Sequence, residues 1–117
     1  MRDHISDVFA ALSDPTRRDL FEQLLQHPRG CTATELAEGA SVSRQAIVKH
    51  LQVLARSGLA TTKREGREVR SFATTDAAQS ASTWLSERST AWDRRIAALE
   101  IGVRRSRDAR EGSTRRL

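Results

Sequence analysis

The sequence lacks most of the residue combinations on which catalysis, metal capture and membrane insertion depend. Its single cysteine, Cys31, excludes an internal disulfide framework and cannot alone furnish a zinc site, a usage that fits a reducing cytoplasm. No stretch approaches the roughly 20 consecutive apolar residues that span a bilayer, and Met1-Arg2-Asp3-His4 has no signal-peptide pattern. A cytoplasmic chain without a membrane partner is therefore expected. The histidines, His4, His27 and His50, lie on separate segments, the serines are scattered, and there is no glycine-rich phosphate loop. No motif unites a nucleophile, a base and an orienting group, so no enzyme, no catalytic residue and no cofactor is expected. Internal repeats are absent as well.

What the chain does have is positive charge, unevenly spread over a length of 117 residues that suits one domain. The net charge is +5, and the segment from Ser41 to Phe72 holds seven basic residues against two acidic ones. Residues 104–117 carry a second excess, whereas residues 1–40 are net acidic. Such a balance points to a polyanionic partner without deciding between nucleic acid and a membrane surface.

Periodicity supplies the framework. Ile5, Val8, Phe9 and Leu12 recur at helical spacing, and Asp14-Pro15 starts a second helix whose stripe is Leu20, Phe21, Leu24 and Leu25. Thr32-Ala33-Thr34-Glu35 reads as a capping box opening a short third helix that ends at Gly39. Ser43 then caps a fourth, with Val42 and Ile47 as a hydrophobic staple, Ile47, Leu51 and Leu54 inward, and Gly58 as the stop. From Leu59 to Thr74 the pattern becomes β-branched and alternating about Glu65-Gly66, which predicts a hairpin with strands near 59–64 and 68–74. Asp76 is expected to cap a last long helix with a stripe of Ala81, Leu85, Trp92, Ile96, Leu99 and Val103. The expected fold is mainly α with a small β-hairpin, about five helices in a winged helix-turn-helix domain over residues 1–103, followed by an unstructured basic tail over 104–117.

Within that fold the fourth helix turns a polar, basic face outward. Helix-turn-helix docking assigns base contacts to Arg44, Gln45, Ala46, Val48 and Lys49, with Ser43 at the helix start and Gln52 and Arg56 on the backbone. Gln45 suits adenine, Arg44 or Lys49 guanine, and Val48 a thymine methyl. An ordinary solvated helix face carries the same residue types, so the hairpin matters. Lys63, Arg64, Arg67 and Arg70 gather about its tip, where Arg67 would enter the minor groove and the others would meet phosphates of double-stranded DNA. A winged helix that holds another protein is the rival reading, although such a surface usually exposes aromatic anchors.

The stretch Leu12-Ser13-Asp14-Pro15-Thr16-Arg17-Arg18, with Leu20 and Leu24, resembles the second-helix signature of the ArsR family of bacterial winged-helix repressors. His50-Leu51-Gln52-Val53-Leu54 with Gly58-Leu59 resembles that family's recognition-helix ending, and Gly66-Arg67-Glu68-Val69 its wing. The resemblance covers about residues 5–100 and implies a homodimer, joined through its first and last helices, that represses transcription from a roughly palindromic operator. The residues ask for a shared interface independently. Ile5, Val8 and Phe9 at one end and Trp84, Leu85, Trp92, Ile96 and Leu99 at the other exceed what a small core covers. The metal-sensing members carry paired cysteines on the third helix, where this chain reads Glu35-Leu36-Ala37-Glu38-Gly39-Ala40, or Asp and His ligands on the last helix, where it has no histidine. No metal site is expected, Trp92 with Ile96 and Leu99 is similar to the subgroup without known metal sites, and no residue names a small-molecule effector.

Overall fold

The computed structural model describes the backbone of residues 4–115 and the side-chain environment of residues 4–107. It divides into two compact units, one ending at Ser82 and one beginning at Thr83.

The first unit opens with α1 (His4–Leu12) and α2 (Pro15–Gln26). Asp14 and its neighbours make the joint between them. Asp14 Oδ1 accepts from the backbone N–H groups of Thr16 at 2.8 Å and Arg17 at 3.2 Å, and Pro15 fills the first helical position, where no N–H is missed. Arg17 and Arg18 turn back and donate to the free carbonyls at the end of α1, Arg17 Nε to Ala11 at 2.6 Å and Arg18 Nη1 to Leu12 at 2.7 Å. The Asp-Pro-Thr-Arg-Arg run therefore satisfies both open helix ends at once. Val8 and Ala11 of α1 and Leu20 and Leu24 of α2 face the core, while Leu25, expected in the same stripe, lies 46% exposed.

A two-residue strand β1 (Cys31–Thr32) leads into α3 (Ala33–Ala37), whose capping box is complete. After a tight turn comes α4 (Arg44–Arg56), capped by Ser43, with Val42 packed on the core beside buried Ile47. The wing follows as β2 (Ala60–Glu65) and β3 (Glu68–Ala73), paired antiparallel with Glu65 opposite Glu68. The sequence pattern predicts this hairpin but not its third member. β1 pairs antiparallel with β3, Cys31 opposite Ser71, so the sheet has the order β1-β3-β2. Two residues are too few to show an alternation of period two. Ile47, Leu51, Leu54, Leu59, Leu36, Leu20, Leu24 and Val8 form the buried cluster that these elements share.

Helix α5 (Asp76–Arg115) begins in the first unit, where Ala81 is buried, and continues through the second. Three expectations change here. Asp76 is the first residue of the helix and acts in its first turn, favourably placed against the helix dipole, rather than as the preceding cap. The helix runs past Val103 to Arg115, so polarity alone did not end it, and of the expected tail only residues 116–117 lie outside the described residues. Val8, grouped above with the dimer-forming residues, is 1% exposed and belongs to the core.

The end of α4 fixes where the wing begins. Gly58 has φ +82°, its N–H bonds to the Ala55 carbonyl at 3.1 Å, and Leu59 N–H reaches Leu54 at 2.9 Å, a complete Schellman turn. A Cβ at Gly58 would also stand 3.1 Å from the Ala77 Cβ, whereas at Gly66, with φ +65°, it would meet nothing within 4 Å. Gly58→Ala is accordingly expected to cost about 2–3 kcal/mol and Gly66→Ala about 1 kcal/mol in urea denaturation. Equal losses at the two sites would show that crowding at Gly58 is relieved by movement.

Candidate nucleic-acid interface

The arc of α4 opposite the buried Ile47, Leu51 and Leu54 presents the polar residues that the sequence nominates. Arg44, Gln45, Lys49, Gln52 and Arg56 are exposed, and Ala46 and Val48 are half-buried between them. Ser43 Oγ accepts from Ala46 N–H at 3.1 Å, so the hydroxyl oxygen caps the helix and only its O–H remains for a ligand. A groove of about 830 Å³ separates α3 and α4 from the wing, with Arg44, Val48 and Gln52 on one wall and Arg67 and Val69 on the other. Arg44 does not swing freely there. Its Nε donates to Thr34 Oγ1 of α3 at 3.2 Å, a partner that the sequence gave no means of finding.

The four wing cations do not act as one cluster. The hairpin turns at Gly66-Arg67, and Gly66 at positive φ followed by Arg67 at negative φ gives a type II′ turn that matches the strand twist. Strand alternation then sets Arg64 on the face of Thr62, Val69 and Ser71, and sets Lys63 with Arg70 and Phe72 on the other. Lys63 Nζ accordingly lies 5.5 Å from the Phe72 ring centroid. Arg70, three-quarters buried, is pinned to the protein. Its guanidinium reaches Glu68 at 3.2 Å, Glu35 at 3.4 Å and Glu65 at 4.0 Å, and donates to the Gly30 carbonyl at 3.2 Å. The expectation that Arg70 meets a phosphate gives way to a structural role, tying the wing to α3. Glu65 and Glu68 beside the turn were the available sign that a cation would be spent internally. Arg64 and Arg67 stay exposed and unpaired by ion pairs among the described residues.

Two carboxylates at helix starts are held below the usual carboxylate range. Backbone hydrogen bonds, from Arg17 above all, lower Asp14, and the Thr32 backbone N–H lowers Glu35, whose Oε1 also faces Arg70. Cys31 is buried, which pushes its thiol up, and the charge of Glu35 adds to the effect. His50 is half-buried with Nδ1 3.5 Å from Arg17 Nη1, the hydrogen-bonded setting of a packing residue. No group of three or more His, Cys, Asp or Glu side chains converges to hold a metal among the described residues, and no helix there is long and apolar enough to cross a membrane.

This geometry agrees with what the chain resembles. A helix-turn-helix domain family matches residues 12–63. The transcriptional repressor SdpR of Bacillus subtilis is 30% identical over 81 residues, which is 69% of this chain and 88% of that one. An ArsR-like transcriptional regulator from Rhodococcus is 39% identical, with a TM-score of 0.69 over 82% of this chain and 89% of its own. The chain belongs to the ArsR family. As an ArsR-family member it is a winged helix-turn-helix DNA-binding transcription regulator, and that family is not a class of enzymes. The same fold occurs in a DNA-binding domain from Mycobacterium bovis described as homodimeric, 20% identical with a TM-score of 0.60 over 74% of this chain and 80% of that one.

Because Glu35 is lowered, its contribution to stability is present above the unfolded carboxylate value and is lost as the pH falls through the folded one. Glu35→Gln is therefore expected to be less stable than the native chain at pH 7, with the gap closing below about pH 4 in thermal melts run across pH. A gap that stays constant down to pH 2 would locate the loss in packing and not in charge.

Proposed function

We propose that the protein is a repressor that binds, as a homodimer, an operator of two similar half-sites and acts by covering the promoter. The observation that carries this reading is the capped α4, with its exposed Arg44, Gln45, Lys49, Gln52 and Arg56, facing across one groove a wing that bears Arg67 at its tip. Major-groove entry of α4 brings Arg44, Gln45, Ala46, Val48 and Lys49 to base edges and leaves Gln52, Arg56 and the Ser43 hydroxyl to the backbone. Arg67 enters the neighbouring minor groove and Arg64 meets phosphate, with Lys63 in a lesser part because Phe72 already holds it.

The homodimer reading draws support from apolar side chains left at the surface: on α1, half-buried Ile5 and Phe9 at 38% exposure, and on α5, Trp84, Leu85, Trp92, Ile96 and Leu99 at 36–70%. A shared fold with a homodimeric domain is consistent with it. We place the protein among the regulators that sense no metal, in the cytoplasm, since its one cysteine is buried and its histidines lie apart.

A footprint of the purified protein on the DNA upstream of its own gene tests the reading, with two protected half-sites expected about one helical turn apart. Lys49→Ala should weaken operator binding by about 1–3 kcal/mol while changing affinity for random DNA much less. Arg64→Ala should weaken both alike and flatten the salt dependence by about one unit of slope. Equal losses on operator and random DNA for Lys49→Ala would remove that residue from base reading.

A further inference from the structure

The groove between α4 and the wing has a lining that the DNA reading leaves unused. Phosphates and base edges call for cationic and polar partners, which Arg44, Gln52 and Arg67 supply. Much of the remaining lining is apolar. Leu51 is buried, Ala33 and Ala55 are half-buried, and Val69 on the wing keeps 51% of its surface exposed. Among these groups stands Ser71, 2% exposed, whose Oγ makes no hydrogen bond among the described residues. A hydroxyl withdrawn from solvent loses free energy until something supplies a partner, and here only what enters the groove is in place to do so. The charges are unequal as well. Glu35 and Glu68, the acidic residues of the lining, both turn to Arg70, at 3.4 and 3.2 Å, whereas Arg44 and Arg67 form no ion pair among the described residues. A volume of about 830 Å³ lies within the range of sites that hold small organic molecules.

We propose that this groove binds a small carboxylate with an apolar body, and that the bound molecule competes directly with DNA. The rim arginines take the carboxylate, Leu51, Ala55 and Val69 cover the body, and the Ser71 hydroxyl donates to a polar atom of the ligand. Each part of the lining selects against a simpler occupant. An inorganic anion would meet the arginines and leave the apolar walls wet, and a neutral apolar molecule would cover the walls and leave the cations unmatched. The proposal rests on the reading that Arg44, Val48 and Arg67 contact DNA, and it adds what withdraws them. A carboxylate held on those guanidinium groups occupies the donors that DNA requires, and the body fills the space between the helix and the wing. Release then needs no change of fold, because ligand and duplex exclude each other from one surface.

Naphthoate and decanoate, a flat and a flexible member of the class, test the site on the full-length protein. In amide-detected NMR at least one of them should shift Val48, Ala55, Val69 and Ser71. Shifts confined to α5, whose exposed apolar residues offer another target, or no shifts with either probe, would overturn the site and leave DNA binding standing. In fluorescence anisotropy with a labelled duplex from upstream of its own gene, the apparent Kd of the duplex should rise in proportion to the probe that binds, without levelling off. A plateau would overturn the competition, because both would then be bound at once. The uncharged amide of the same probe should compete on the order of tenfold less, and equal competition would overturn recognition of the anion. Ala55→Leu, which fills the groove from a helical position, should weaken the probe on the order of tenfold and leave duplex affinity within about twofold of native. Unchanged probe affinity in that variant would overturn the placement. A native chain that binds no duplex when no probe is present would overturn this proposal together with the DNA reading beneath it.

Discussion

The turn at Gly58 is the constraint on which the interface depends. It ends α4 in a left-handed residue, returns two backbone N–H groups to the Leu54 and Ala55 carbonyls, and drives Leu59 into the core, where it is fully buried. The far end of the wing is latched to the same turn. Thr74 Oγ1 donates to the Gly58 carbonyl at 2.6 Å and Thr74 N–H to Leu59 at 3.0 Å, so both strands of the hairpin leave from one point. The exposed face of α4 and the wing have to hold a fixed separation to act as one surface, and here backbone hydrogen bonds set it instead of mobile side chains. The sequence cost is one residue that tolerates positive φ without a Cβ.

The distribution of charge over the wing follows from what that hairpin must do besides meeting an anion. A sheet of three short strands gains little from burial, and β1 contributes only two residues to it. Arg70 supplies the missing attachment by collecting Glu35 from α3, Glu65 and Glu68 from the two strands, and the Gly30 carbonyl. Because the guanidinium is partly buried and shared among several acceptors, these contacts hold more firmly than isolated surface pairs would. The same carboxylates hold that cation against the protein, away from the exposed Arg64 and Arg67. One arginine of the wing is thus spent on order, while Arg64 and Arg67 form no ion pair among the described residues.

How much of this was legible before the structure depended on whether the cause was local. The capping box at Thr32, the cap at Ser43, the stop at Gly58 and the Asp14-Pro15 start are each short-range chemistry, and all appear where the residues place them. Helical periodicity also marked the inward stripe of α4 correctly. What the sequence concealed required contacts between distant segments. Strand β1 exists only because β3 passes beside it, Thr34 holds Arg44 only because α3 packs on α4, and the Arg70 network joins residues up to forty positions apart. Val8 shows the same limit in reverse. Its spacing put it on the apolar face of α1, but only tertiary packing could decide that this residue faces the core while Phe9 keeps 38% of its surface exposed.

The second unit makes a different physical demand. From Ser82 to Arg107 every described side chain is exposed, yet the backbone is helical throughout. In a single chain such a helix would rely on propensity and on local pairs such as Arg88 with Glu87, each worth a few tenths of a kcal/mol, against the conformational entropy of more than twenty residues. Helices in water draw most of their stability from burying an apolar face, and the face that runs from Leu85 to Val103 is large enough to do so only against another surface. Were a second copy to cover that face, association and helix formation in this segment would be one equilibrium. Contacts that held two copies together would then hold α5 in shape as well.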